Sequence, residues 1–132
     1  MSAMSALPAD LRRYFDAPNL GHVATVLPDG SPHSVPVWVD LHGERIAFLT
    51  SPTSRKARNL EHEPRLAISV TEHDQPNSMA LVRGHVVEIL DGDEAWTIID
   101  RMSHKYLGQP YPLRTDRVLF LVEVDHAWAQ GY

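Results

Sequence analysis

The most informative segment for the fold is His33-Ser-Val-Pro-Val-Trp-Val-Asp-Leu-His-Gly-Glu-Arg-Ile-Ala-Phe-Leu-Thr50. Its first half alternates strictly between two faces. One face carries Val35, Val37, Val39 and Leu41, and the other carries Ser34, Pro36, Trp38 and Asp40. This period of two is typical of a β-strand with one buried face. His42-Gly-Glu44 predicts a tight turn, so residues 45–50 are expected to return as the second strand of a hairpin.

Strand-like segments continue on both sides of this hairpin. Apolar runs rich in β-branched residues predict strands at 21–27, 66–71, 79–90 and 118–124, with a last short strand at 127–129. Gly84 interrupts the longest run and predicts a bulge or bend. Residues 73–78 are polar and predict a loop before that strand.

Three segments have helical periodicity instead. They cover residues 7–15, 54–62 and 91–108. Ser54 is a favoured N-cap for the second helix, and Gly108 is a favoured terminator for the third. The inward face of the third helix is expected to carry Trp96, Ile99, either Met102 or Ser103, and Tyr106.

The order of these elements indicates the fold class. Six or seven strands follow one another through short turns, and no strand–helix–strand alternation is present. This pattern predicts a mainly β fold, an antiparallel barrel with peripheral helices, rather than a parallel sheet. No repeat, low-complexity segment or linker interrupts the chain, so residues 1–132 are expected to form a single domain.

Composition excludes several classes of function. The net charge of −5 argues against a nucleic-acid-binding protein and against attraction to an anionic membrane. The chain has no cysteine, which excludes disulfides, thiolate zinc sites and a cysteine nucleophile. Its eight histidines lack ligand spacing, so we predict no metal site. Residues 1–6 do not resemble a signal peptide, and no apolar run approaches the roughly 18 residues of a membrane span. We therefore expect a cytoplasmic protein.

A cluster of hydroxyl and cationic side chains follows the hairpin in the segment Thr50-Ser-Pro-Thr-Ser-Arg-Lys-Ala-Arg-Asn59. Three of the 12 Lys and Arg residues fall within four positions at the start of a helix. Cations there oppose the helix dipole, at a cost of about 0.3–1 kcal/mol each, unless an anion binds beside them. Together with the free N–H groups of a helix start, the cluster suits a phosphate or carboxylate. The alternative is a solvated basic turn that pairs with nearby carboxylates.

The same segment resembles a known family. Leu49-Thr-Ser-Pro-Thr-Ser-Arg-Lys-Ala57 is similar to the run with which pyridoxamine 5′-phosphate oxidases hold the FMN phosphate. Gly21-His-Val-Ala-Thr-Val-Leu-Pro-Asp-Gly-Ser-Pro-His33 resembles the family's first strand and turn. The remaining matches resemble actinobacterial relatives that use the deazaflavin coenzyme F420. They are Lys56-Ala-Arg-Asn-Leu60, Glu63-Pro-Arg-Leu-Ala67, Tyr106-Leu-Gly-Gln-Pro-Tyr111 and Ala127-Trp-Ala-Gln-Gly-Tyr132.

The resemblance implies an FMN-binding-like split β-barrel that forms a homodimer, with cofactor sites at the interface. Arg55 and Lys56 are expected to face the cofactor phosphate, or the phosphate and glutamyl tail of F420. Thr50, Ser51 and Ser54 are expected to add hydrogen bonds there, supported by Arg58 and Asn59. The strand residues Ser34, Val35, Pro36, Val37 and Trp38 are expected to lie along the ring system.

The sequence also departs from the oxidases. They begin the ring-side strand with Arg, where this chain has Ser34, and end it with Lys, where this chain has Val39. They also place a Gln that touches the flavin near the position of Met79. These differences favour F420 over FMN and speak against pyridoxamine phosphate as the substrate.

Three hypotheses about function follow. The first is an F420H2-dependent reductase that transfers a hydride between F420 and a small unsaturated or aromatic substrate. The second is an FMN-binding oxidoreductase of the same fold, and the third is a non-catalytic carrier or sequestering protein for F420 or a flavin. The cofactor's own ring performs hydride transfer, and the sequence identifies no catalytic residue. The three tryptophans have different expected roles. Trp38 is expected either to pack internally or to line the site of the cofactor ring, and Trp96 is expected in the core. Trp128 is expected in the core or the dimer interface, and the alternative is a place in the substrate pocket.

Overall fold

The computed structural model describes residues 7–132, so the expectation for residues 1–6 lies outside the described part of the chain. A short 3-10 turn at Ala9–Leu11 leads into the first helix. The helices are α1 (Arg12–Asp16), α2 (Arg55–His62) and α3 (Gly92–Leu107). The strands are β1 (Leu20–Val26), β2 (Pro32–Trp38), β3 (Asp40–His42), β4 (Arg45–Thr50), β5 (Arg65–Glu72), β6 (Gln75–Leu90) and β7 (Val118–Gln130).

The seven strands form one antiparallel sheet in the order β2-β1-β5-β6-β7-β4-β3. The two outermost strands, β2 and β3, are consecutive in the chain and are joined through Val39. The sheet must therefore curl until its two edges meet. This is the predicted split barrel.

The prediction of one continuous strand over residues 33–41, paired as a hairpin, is wrong in detail. β2 pairs with β1 along its whole length, and only β3 pairs with β4. The alternating pattern persists across the break because Val37, Val39 and Leu41 all face the core. Alternation reports which face is buried but not which neighbour the strand pairs with.

The backbone at this crossover bonds to α3 instead of to another strand. The Tyr106 hydroxyl accepts a hydrogen bond from Val39 N at 3.0 Å, and Lys105 Nζ donates to Val39 O at 2.6 Å. Asp40, predicted on the polar face, is buried, and its carboxylate lies 3.5 Å from Arg101 Nε and 3.7 Å from Lys105 Nζ. α3 therefore stabilises the crossover between the two edges of the sheet.

Two predicted boundaries are also wrong. The loop expected at 73–78 is a turn at His73 and Asp74, because β6 already begins at Gln75. The separate strand expected at 127–129 is the end of one long strand, β7. The bulge predicted at Gly84 is confirmed, since the pairing with β7 shifts there. A Cβ at Gly84 would lie only 2.4 Å from the Glu123 carbonyl oxygen.

The two faces of β4 show where the core lies. Ile46 and Phe48 point into the barrel, where the rings of Phe48 and Phe120 stack with centroids 5.3 Å apart. Ala47 and Leu49 point outward and pack beneath α3. β4 is buried on both faces, which explains its continuous apolar sequence. Trp96, predicted to be core, is only half-buried and packs against the outer cluster.

Candidate functional site

A groove of about 300 Å³ lies where β2, β4 and α2 approach one another. It is lined by Leu20, Pro36, Val37, Trp38, Leu49, Lys56 and Tyr111. Four predicted site residues therefore meet in one place, three from the ring-side strand and one from the cationic cluster. The groove has an aromatic wall and a cationic end.

The aromatic wall is built around Trp38. Its ring stacks on Tyr106, with centroids 4.9 Å apart and planes 2° from parallel, and Tyr111 meets it edge-on at 5.7 Å. Offset-stacked and edge-to-face pairs are favoured arrangements for aromatic rings. Tyr106 covers one side of the indole, so the groove is lined by the remaining surface of Trp38. Trp38 thus packs internally and also lines the groove.

The Tyr106 hydroxyl fixes this wall to the crossover of the barrel. It donates to the carbonyl oxygen of Asn19 and accepts from Val39 N. Burial, the largest cause, raises the pKa of Tyr106 to about 12. The phenol is therefore a neutral hydrogen-bonding group at physiological pH, and we assign it a positioning role.

The cationic end of the groove is formed by Lys56, which is half-buried. Burial is the main cause that lowers the pKa of Lys56 below its ordinary value, and repulsion from Arg117 adds to it. Among residues 7–132, no carboxylate lies within 4.0 Å of the charged nitrogens of Lys56, Arg55, Arg58 or Arg117. The alternative of a basic turn neutralised by neighbouring carboxylates therefore finds no support in this part of the chain.

The predicted hydroxyl groups build the start of α2. Ser54 Oγ accepts from Ala57 N at 3.2 Å, which confirms the predicted N-cap, and Thr50 Oγ1 donates to Ser54 Oγ at 2.9 Å. Ser51 Oγ and Thr53 Oγ1 lie 3.1 Å apart. Thr50 is buried, so its position shapes the loop that presents Lys56. Direct contacts from Thr50, Ser51 and Ser54 to a ligand stay a prediction.

Asn59 ties α2 to the sheet. It is buried, donates from Nδ2 to Thr25 Oγ1 at 3.0 Å, and accepts from Arg55 Nη1 at 3.4 Å. Arg55 and Arg58 are both exposed. The structure gives Asn59 internal partners, and its contact with a cofactor, like that of Arg58, stays a prediction.

The other end of the ring-side strand diverges from the groove. Val35 packs against the barrel core. Ser34 lies on the outer face of the sheet, where it lines a separate cavity of about 280 Å³ together with His22, Arg83 and Trp128. Trp128 is 41% exposed there, so it is a surface residue and not core. Ser34 and Val35 are not brought to the Lys56 groove.

Tyr111, which lines the groove, and Arg117, which contacts Tyr111, were not predicted as site residues. Both lie in the segment between α3 and β7. Arg117 Nε donates to the Tyr111 hydroxyl at 3.1 Å. Both residues are far from Lys56 in the sequence, and no local pattern connects them. For Tyr111, the available signal was the resemblance of Tyr106-Leu-Gly-Gln-Pro-Tyr111 to the F420-using relatives. For Arg117, it was the occurrence of two cations, Arg114 and Arg117, in a loop of an acidic protein.

Two kinds of feature are absent among residues 7–132. No group of three or more His, Asp or Glu side chains in this range is arranged to hold a metal ion. No helix in the same range is long and apolar enough to cross a membrane.

The sequence model described as pyridoxamine 5′-phosphate oxidase matches residues 7–131. The chain belongs to this oxidoreductase family. The match covers the whole barrel, including the cationic segment and the aromatic wall. No protein of curated function matches the chain significantly.

Solved structures agree with this assignment. A protein described as an F420 reductase is 30% identical, with a TM-score of 0.80 over 92% of this chain and 98% of that one. A conserved hypothetical protein of Mycobacterium tuberculosis is 22% identical, with a TM-score of 0.78 over 97% of this chain and 86% of that one. An FAD-binding protein of Mesorhizobium loti is 21% identical, with a TM-score of 0.69 over 97% of each chain. The last two similarities concern the fold alone.

Proposed function

We propose that the protein is an F420H2-dependent reductase that transfers a hydride between F420 and a small unsaturated or aromatic substrate in the cytoplasm. The observation that carries the proposal is the groove itself. One end presents a half-buried cation that has no carboxylate partner among residues 7–132, and the wall beside it is a flat aromatic stack. A ligand that joins an anionic tail to a planar ring matches both ends. The similarity to an F420 reductase supports the choice among such ligands.

In this proposal the chain's residues bind, orient and exclude water. Lys56 holds the phosphate, because a charge-assisted hydrogen bond is about twice as strong as a neutral one. Trp38 lies along the ring, and Tyr106 and Tyr111 hold the indole in place. The reduced deazaflavin supplies the hydride from its C5 position when bound. No side chain of the groove is assigned as the proton donor.

We further propose a homodimer with the cofactor at its interface. The groove and the cavity beside Ser34 are both open, and Leu20 and Trp128, which line them, are 50% and 41% exposed. Large exposed apolar side chains beside open cavities are typical of an interaction surface. A second copy of the chain would cover them and close the groove against water. Sedimentation of the purified protein measures this directly, and a monomer at micromolar concentration would contradict it.

Equilibrium binding of F420 and of FMN to the apo protein, followed by fluorescence, tests the choice of cofactor. We expect F420 to bind more tightly than FMN, and FMN bound tightly without detectable F420 affinity would overturn the proposal. Trp38→Leu should weaken binding, while Arg45→Gln, which breaks an ion pair at the far end of β4, serves as a control outside the groove.

A carrier is the second candidate function. It is favoured only by the absence of an identified acid or base in the groove. Its discriminating property is the space beside the bound ring. If a structure with F420 shows protein covering the ring face opposite Trp38, hydride transfer to a substrate is blocked and the carrier role is supported.

A further inference from the structure

The segment between α3 and β7 is held in a defined position. Arg114 Nη1 contacts Asp100 Oδ1 at 2.6 Å, and Tyr111 N donates to the same oxygen at 3.0 Å. The Arg114 guanidinium also lies over the Trp96 ring, 4.2 Å from its centroid. These contacts fix the segment to α3 at Tyr111 and at Arg114, shortly before Arg117.

Arg117 is the cation of this segment that contacts a residue of the groove wall, Tyr111. Its Nε donates to the Tyr111 hydroxyl at 3.1 Å, and its guanidinium carbon lies 5.8 Å from the centroid of the Tyr111 ring. Tyr111 and Lys56 line the same groove. Arg117 therefore lies beside Tyr111, and its positive charge is close enough to Lys56 to help lower the pKa of that amine.

The positive charges of Lys56 and Arg117 repel each other. Neither has a carboxylate within 4.0 Å among residues 7–132. Two like charges repel more strongly when they are partly shielded from water. A bound anion with two negative charges would turn this repulsion into two attractions, and guanidinium groups are well suited to phosphate oxygens.

We propose that Arg117 is the second cation of the phosphate subsite and a specificity-determining residue that selects ligands with a phosphate over the same ring without one. The inference rests on the proposed function only in placing the ring in the same groove. Arg117 comes from a different element than Lys56, so the subsite exists only when the segment 108–117 is docked on α3.

The main test compares FMN with riboflavin, which differ only in the phosphate. F420 is compared with its phosphate-free deazaflavin as a second pair, which also lacks the tail beyond the phosphate. The variants are Arg117→Gln, which removes the charge, and Arg117→Lys, which keeps it. Arg45→Gln removes one charge at the opposite end of β4, where Arg45 pairs with Glu88 at 3.2 Å. We expect the preference for the phosphorylated ligand to fall about tenfold in Arg117→Gln, the equivalent of one charge-assisted contact. It should persist in Arg117→Lys and Arg45→Gln. An unchanged preference in Arg117→Gln overturns the inference.

A second measurement does not depend on any ring cofactor. The pKa of the Lys56 amino group, followed by NMR in the apo protein, should rise in Arg117→Gln and stay unchanged in Arg45→Gln. Pyrophosphate should bind the unmodified protein and lose affinity in Arg117→Gln. If pyrophosphate binding depends on Arg117 but neither F420 nor FMN binds, the subsite stands and the proposed function fails. If F420 binds and neither the pKa nor the phosphate preference changes, the inference fails and the function stands.

Discussion

The two ends of the groove are built in opposite ways. The cationic end is presented by one continuous segment, residues 50–59, whose hydroxyls and backbone shape the start of α2. The aromatic end gathers Trp38, Tyr106 and Tyr111 from β2, α3 and the segment after α3. A contiguous segment can be recognised in a sequence, whereas a wall assembled from distant elements becomes visible only after folding.

The two ends of the groove should also respond differently to substitution, one mainly in ligand affinity and the other also in protein stability. Lys56 has no internal carboxylate partner in the described part of the chain, so its charge is available to a ligand. Tyr106, in contrast, bonds to the backbone of Asn19 and Val39. Substitutions at the cationic end should therefore change affinity with little change in stability, and substitutions at the aromatic end should change both.

The largest effect is expected from Arg55→Ala combined with Lys56→Ala. Charge-assisted hydrogen bonds contribute about 1.5–3 kcal/mol each, so the cofactor Kd should rise on the order of a hundredfold or more. Most of this effect should come from the half-buried Lys56, because Arg55 is exposed. Fluorescence titration measures the Kd, and the midpoint of urea unfolding serves as the control. An unchanged Kd would show that the anion binds elsewhere.

Tyr106 tests the aromatic end. Tyr106→Phe keeps the ring that stacks on Trp38 but removes the hydroxyl bonded to Val39 N and Asn19 O, which then lose their partner. Leaving buried groups unsatisfied costs about 1–3 kcal/mol, so the free energy of unfolding should fall by that amount. Tyr106→Leu should also lose the stacking, worth about 0.5–1.5 kcal/mol, and change the fluorescence of Trp38. Equal stability of Tyr106→Phe and the unmodified protein would contradict the anchoring role.

Asn59 belongs to the cationic end by its position in the sequence, but its contacts are those of a residue that stabilises the fold. It belongs to the segment that resembles the family's phosphate-binding run, yet its amide bonds to Thr25 Oγ1 and Arg55 Nη1 inside the protein. Asn59→Ala should lower the free energy of unfolding by about 1–2 kcal/mol and leave the cofactor Kd within about threefold. Chemical denaturation and titration on the same preparation separate the two quantities. A large loss of affinity at unchanged stability would instead support the direct contact expected from the resemblance.

These cases show what the sequence alone could predict. Ser54 as the N-cap, the bulge at Gly84 and the end of α3 at Gly108 each depend on a local preference, and each is observed. The break at Val39 was missed because the alternation of buried side chains continues unchanged through it. The pairing partner of each half is decided by barrel closure, which no local pattern records.

The same distinction between local and long-range signals applies to the residues of the candidate site. Lys56 and Trp38 were predicted from local segments and the family resemblance, and both line the groove. Tyr111 and Arg117 were missed because their position depends on the ion pair between Asp100 and Arg114. Ser34 was expected at the ring, but it lies further along the same face of β2 than Pro36 and Trp38 and lines the cavity beside Trp128 instead of the groove.

The pH dependence of binding is the smallest effect and the finest test of the cationic end. The pKa of Lys56 lies below the ordinary 10.5, first because of burial and then because of Arg117. A phosphate ligand requires the charged amine, so affinity should fall as the pH rises through this lowered pKa, before an ordinary lysine would lose its proton. Stability should respond in the opposite direction. Between the lowered pKa of Lys56 and 10.5, the unfolded chain binds more protons than the folded one. The free energy of unfolding therefore rises with pH over this range. Lys56→Met should abolish the stability component, and Lys56→Arg should keep affinity constant over the same range. Affinity and stability that change in the same direction would exclude Lys56 as the group responsible.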